Sequence, residues 1–218
     1  VLFRSNRGGT NLKAKIRSLE IAFLLIISAL LLSSCIGLEN VEKVKFNILV
    51  EEEEGPEEGY LFLQITPKGE DKFQGTIDFS LGDEKFATTF TTEEDDLQNV
   101  ITPIMFSNPS LASILGAASS AQLMLAPLSM SGELEEGSTW KEKDEEGKET
   151  EISVISSETR FGKEAFWAEI KTDGVVVMQM LAEKETYFPF VLDIKDKELL
   201  EPEQQRIHLE AEEIIWQE

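Results

Sequence analysis

Four groups of residues in this chain are of types that can do chemistry: one thiol, one imidazole, one serine–lysine pair and one run of carboxylates. The thiol is Cys35, the only cysteine in 218 residues. With no second thiol there is no internal disulfide. The imidazole, His208, alternates with Ile207 and Leu209. Period-2 alternation puts it on the polar face of a strand, where a solvated or ion-paired histidine is expected. Ser138 and Lys141 have Ser-x-x-Lys spacing, but the other elements of a penicillin-binding site are missing and the local alternation fits a strand. The carboxylates are Glu51 to Glu54 with Glu57 and Glu58, six within eight residues. Calcium loops place Asp and Asn ligands at alternating positions around a glycine turn. These side chains alternate across a hairpin instead and cannot all converge, so a solvated tip is expected. There is no Gly-x-Ser-x-Gly elbow, no His-Glu-x-x-His helix and no glycine-rich phosphate loop. The chain is therefore expected not to be an enzyme and to need no cofactor and no metal.

What positions Cys35 is the stretch before it. Residues 21–32 are an apolar core of 12 residues interrupted only by Ser28, and Arg4, Arg7, Lys13, Lys15 and Arg17 precede them. A basic segment, a short apolar core and small residues at its end are the three parts of an export signal. The core is too short for the roughly 20 residues that span a bilayer.

The ending Leu32-Ser33-Ser34-Cys35 resembles the lipobox of prokaryotic lipoproteins. The resemblance implies cleavage before Cys35, lipid on its sulfur, and residence in the cell envelope on the exported side of a membrane. On that reading residues 1–34 are a signal peptide, residues 35–43 a lipidated tether and residues 44–218 a single domain. Removing residues 1–34 takes five basic residues and one acid with it. The remainder holds 15 basic residues and 41 acids, a formal charge of −26. Such a surface repels nucleic-acid phosphates and discourages lying flat on anionic lipid. No nucleic-acid partner is expected.

After the tether, Val44, Phe46, Ile48 and Val50 alternate with more polar neighbours, the period of a half-buried strand. The acidic residues 51–59 read as a turn. Residues 60–66 return, Phe73 to Phe79 alternate again, and so do Phe86, Thr88, Phe90 and Thr92. Four strands with short turns predict an antiparallel meander. Strands resume after Glu133, around Trp140, Ile152 and Val154, Ala165 to Glu169, residues 175–181, Phe188 to Ile194, and residues 206–216. Asp173-Gly174 signals a tight hairpin, and Pro189 an edge or a bulge.

Between these β segments lie 36 residues without a formal charge, 97–132, in a chain that is 28% charged. Thr91 and Glu94 have capping-box spacing, which predicts a short helix from about Thr92 to Pro103. Asn108 before Pro109 is an N-cap with proline at the first helical position. It predicts a second helix to Ala126, stopped by Pro127. Leu111, Ile114, Leu115, Ala118 and Leu125 form its apolar face, with a small, weakly polar stripe at Ser110, Ser113, Ala117 and Ser120. The helical insertion, residues 93–130, is permanent cover for the sheet, a lid whose apolar face lines a ligand cavity, or a patch that dips into the membrane interface.

The run of residues 161–194, FGKEAFWAEIKTDGVVVMQMLAEKETYFPFVLDI, resembles the corresponding part of the LolA/LolB and LppX type of envelope lipid carriers. Their phrase is a strand ending in Asp-Lys-x-Thr-x-Leu-Pro. Glu183, Lys184, Glu185, Thr186 and Pro189 hold the matching positions, while the usual tryptophan before it is replaced by Met180 nearby. The resemblance implies an α+β, mainly β fold: a strongly curved antiparallel sheet, a half-barrel, with the helical insertion on its concave face. It also implies a cavity for a lipid or acyl chain. The expected partners are thus a membrane, through lipid on Cys35, and an apolar ligand. The alternative is a solid-cored interaction lipoprotein that displays loops to an envelope protein.

Overall fold

A computed structural model describes residues 41–69, 72–93, 100, 103–104, 107–125, 135–144, 147–197, 199–200 and 202–216. Ten strands form one antiparallel sheet: β1 (Val41–Glu52), β2 (Gly55–Pro67), β3 (Lys72–Leu81), β4 (Glu84–Glu93), β5 (Thr139–Lys143), β6 (Glu149–Arg160), β7 (Lys163–Thr172), β8 (Val175–Glu183), β9 (Pro189–Ile194) and β10 (Gln204–Trp216). The helix α1 (Pro109–Met124) lies between β4 and β5 in the chain. The order across the sheet is β4-β3-β2-β1-β10-β9-β8-β7-β6-β5. Two meanders are thus joined where the last strand pairs with the first. The sheet is not closed, and β4 and β5 are its edges.

Register explains why the alternating residues make one core. Directly paired residues in an antiparallel ladder share a face. Val50 pairs with Ile207, Ile207 with Ile194, Ile194 with Met178, Met178 with Ile170, Ile170 with Ile152 and Ile152 with Trp140. One apolar row therefore crosses seven strands. A second, Ile48-Leu209-Leu192-Met180-Ala168-Val154, runs beside it. On the other side of β1 the same face carries a further row, Phe46-Leu61-Phe79-Phe86. These residues belong to a single buried cluster or pack against it.

The opposite face is mostly polar, apart from the buried pair Leu181 and Val191, and is held by ion pairs across strands. Arg206 on β10 donates from Nε to Asp193 Oδ1 at 2.5 Å and from Nη1 to Glu51 Oε1 at 2.8 Å, tying β9, β10 and β1 together. Those carboxylates, Asp193 foremost, hold the Arg206 guanidinium above its ordinary pKa. Lys141 on β5 pairs with Glu151 on β6, which raises the pKa of the lysine and lowers that of the glutamate.

Several boundaries differ from the sequence expectation: β1 already begins at Val41, inside the tether expected over residues 35–43, and the helix ends at Met124 rather than Ala126. The acidic turn is only Glu53 and Glu54, because residues 55–59 already pair with β1, from Gly55 opposite Glu52 to Gly59 opposite Ile48. Pro56 is tolerated there because β3 first pairs with β2 at Gly59, so Pro56 has a strand on one side only. Thr91 and Thr92 are paired in β4 with Gln74 and Phe73, and Thr92 is buried. The capping-box reading at Thr91 therefore fails, since sheet pairing claims both threonines. The remainder of that first helix falls largely outside the described residues. Among the described residues no helix is long and apolar enough to cross a membrane.

Candidate functional site

The helix begins where its cap residues say it should. Asn108 Oδ1 accepts from the Leu111 amide at 2.8 Å, and the Asn108 carbonyl accepts from Ala112 at 3.0 Å. Of the five apolar residues expected on its working face, Leu111, Ile114, Ala118 and Leu125 are buried in the cluster that includes the sheet, and Leu115 packs at its margin. Leu125 lies just past the last helical residue, in a turn. Ala117, placed by its spacing on the small polar stripe, is buried too, as are Ala121 and Ser119. Ser119 can be buried because its hydroxyl donates to the Leu115 carbonyl at 2.7 Å, one turn back. The inward surface of α1 is thus broader and smaller in side-chain size than the leucine spacing alone implies.

A second assembly, which sequence spacing did not bring together, sits where β6–β7, β8–β9 and the end of β10 meet. Phe188 and Phe190 on β9 and its approach, Phe161 at the β6–β7 turn and Trp216 on β10 form a connected set of rings with centroids 5.4–6.3 Å apart. Phe46 joins it at 6.0 Å from Phe188. The Trp216 indole donates to the Phe161 carbonyl at 2.9 Å, and Arg160 Nη2 donates to Glu210 Oε1 at 2.6 Å. Widely separated aromatics of this kind carry no local spacing signal. Only the alternation of Phe188 and Phe190 was legible.

The turn between β8 and β9 is organised by Glu183, which is 2% exposed. Its Oε2 accepts from the Glu185 amide at 3.0 Å, the Thr186 amide at 2.5 Å and the Thr186 hydroxyl at 2.7 Å. Tyr187, in the left-handed region at φ 60°, then returns its amide to the Glu183 carbonyl at 2.9 Å. The Glu-x-x-Thr spacing was the available signal for this cap. Pro189 follows at a register shift opposite Ala182, so its missing N–H falls at a bulge, as its position in the sequence implied. An open hollow of about 640 Å³ lies beside this turn, lined by both acids and lysines, among them Glu135, Lys163, Glu164 and Lys184. It does not lie under the helix.

The remaining sequence candidates are accounted for as follows. His208 sits on the polar face opposite Leu49 and Asp193, with Nε2 3.9 Å from Glu210 Oε2. Its Nδ1 is shielded and has no hydrogen-bond partner among the described residues. Ser138 lies just before β5 and Lys141 within it. Glu53, Glu54, Glu57 and Glu58 are exposed. Among the described residues no three His, Cys, Asp or Glu side chains converge as a metal site would need. Cys35 lies outside the described residues. No protein-family model matches the chain, and no curated protein matches it.

Proposed function

We propose that the protein is a membrane-anchored envelope lipoprotein, held by lipid on Cys35, that binds an apolar ligand such as an acyl chain between its sheet and α1. The observation that carries this reading is a mismatch of width. The apolar row crosses seven strands, about 29 Å at the usual spacing of about 4.8 Å. A helix with side chains is only about 10–12 Å across. Among the described residues α1 is the one helix described along its length, and an apolar face wider than that helix supports the reading of a ligand-binding layer. We further propose that the sheet is strongly curved around that layer. Phe161, at the turn that ends β6, and Trp216 on β10 are at least three places apart in the sheet, about 14 Å if it were flat, yet the Trp216 indole meets the Phe161 carbonyl at 2.9 Å beside the buried cluster. The reaction class of such a protein is transfer or storage of a ligand without covalent change.

One observation favours a second reading. Leu111, Ile114, Ala118 and Leu125 are no more than 7% exposed, which is the burial of a permanent core. A solid-cored lipoprotein that displays its loops to a protein partner would be built the same way. Native mass spectrometry of the chain from Ile36 onward separates the two. A co-purifying lipid supports the carrier. A bare protein that also fails to take up a fluorescent fatty acid supports the display scaffold.

A further inference from the structure

Among the described residues β4 pairs with β3 on one side and with no strand on the other. Which of its backbone groups point outward follows from the turn before it. Gly82 and Asp83 are a two-residue turn, with Gly82 in the left-handed region at φ 53°, the hairpin type whose first central residue is glycine. The hydrogen bond of such a turn joins the residues on either side of it, here Leu81 and Glu84. Antiparallel alternation then gives Phe86, Thr88, Phe90 and Thr92 the hydrogen bonds to β3. The amides and carbonyls of Lys85, Ala87, Thr89, Thr91 and Glu93 point away from it. All five of these residues are exposed. The Phe90 ring does not block the edge, because it leans across Gly75 on β3, where a Cβ would collide with it.

We propose that this edge receives β4 of a second copy of the chain, antiparallel, about a two-fold axis at Thr89. The five outward residues are centred on Thr89, so each outward amide and carbonyl of one copy meets its counterpart in the other. In that register Lys85 of each copy faces Glu93 of the other, Ala87 faces Thr91, and Thr89 faces itself. Opposite charges and threonines directly across two strands are favourable pairs. Moving the axis to Ala87 or to Thr91 loses this match: one charge then faces Thr89 and the other falls beyond the end of the strand. Phe86 and Phe90, each only partly buried, come to face Thr92 and Thr88 of the second copy at the closer spacing of about 4.5 Å between Cα atoms. Paired residues share a face, so the apolar faces of the two copies become continuous. Acids flank the ion pairs, Glu84 before Lys85 and Glu94 after Glu93, and each copy is strongly negative. Pairing is therefore expected where salt screens that charge. The inference depends neither on a lipid anchor nor on a ligand.

The test uses the full chain carrying Cys35→Ser, so that one added cysteine is its only thiol. Each variant is oxidised with copper phenanthroline in 1 M salt and read on non-reducing gels. Thr89→Cys should become mostly disulfide-linked dimer, because facing Cα atoms of a hydrogen-bonded pair lie about 5.5 Å apart, inside the roughly 4.4–6.8 Å that a disulfide spans. Lys85→Cys alone and Glu93→Cys alone should stay monomeric, since each cysteine is then about 27 Å from its counterpart. An equal mixture of those two variants should link. Val175→Cys, 65% exposed and on β8, six places from β4, sets the level of collisional linking. Linking at Thr89→Cys no higher than at Val175→Cys overturns the proposal. So does a mixture that links no better than its two components, or Lys85→Cys linking to itself as readily as Thr89→Cys does, which would mean a parallel or slipped contact.

Discussion

Glu183 shows how one buried carboxylate can fix a turn. It gathers two amides and a hydroxyl that would otherwise lack an acceptor in a place water does not reach. Leaving a buried donor unsatisfied costs about 1–3 kcal/mol. Glu183→Ala strands three donors, and some relaxation is open to an exposed neighbour such as Glu185. The expected loss of unfolding free energy is therefore about 3 kcal/mol, read from urea midpoints at constant slope. Glu183→Gln keeps an oxygen at the same place and should lose less than half as much. An alanine variant within about 0.5 kcal/mol of the parent would mean the turn is held by Tyr187 and the strands alone. The same geometry explains the turn phrase in chemical terms. An acid followed three residues later by Thr can close on itself, and a proline after it fits a bulge. The sequence displayed that spacing openly, but nothing in it said that the acid would be buried.

At the scale of elements, the strands were legible because their alternation is enforced by a half-buried sheet. Val44 to Val50 and Ile207 to Ala211 could face only one way. Pairing of β1 with β10 was not legible, since nothing local marks partners more than 150 residues apart. It follows only once both meanders expose an apolar edge strand. Boundaries failed where two local signals competed: Thr91 and Glu94 offered a helix cap, and the ladder with β3 took the threonine. The helix is where sequence and structure leave the sharpest question. Leu115 and Leu125 replaced together by serine should tell cover from lid. If α1 is a lid, uptake of a fluorescent fatty acid falls while the melting temperature stays nearly unchanged. If it is permanent core, truncating a buried leucine costs about 2–5 kcal/mol, a large part of the roughly 5–15 kcal/mol that holds a domain folded. The melting temperature then collapses. Leu125 at 1% exposure supplies most of the penalty in that case, and Leu115, only partly buried, supplies less.

At the scale of the molecule, the sheet is open, with β4 and β5 as its edge strands among the described residues, and the chain is strongly acidic; these two properties bear on each other. β5 is a short edge of five residues with Lys141 and Lys143, both well exposed. β4 is a longer edge of 10 residues, and between Lys85 and Glu93 it carries no charge, no proline and no register shift. A long regular edge that pairs with no further strand among the described residues is a template for another strand. Its own residues do little to prevent that, so the protection must come from charge carried elsewhere. At −26 for the chain from Ile36 onward, against −22 for all 218 residues, like molecules repel over a Debye length of about 10 Å in 0.1 M salt, which shrinks to about 3 Å at 1 M. The chain from Ile36 onward should therefore be monomeric in 0.1 M salt and associate in 1 M salt, as measured by sedimentation velocity. Thr89 is exposed in the middle of β4, opposite Thr76. Thr89→Lys places a charge on that edge in the manner of natural edge strands and should hold the protein monomeric at both salt concentrations. A sedimentation profile indifferent to salt would show that the β4 edge is already covered. Salt-driven association that Thr89→Lys leaves untouched would place the contact elsewhere on the surface, and the charge would then be guarding something other than the sheet.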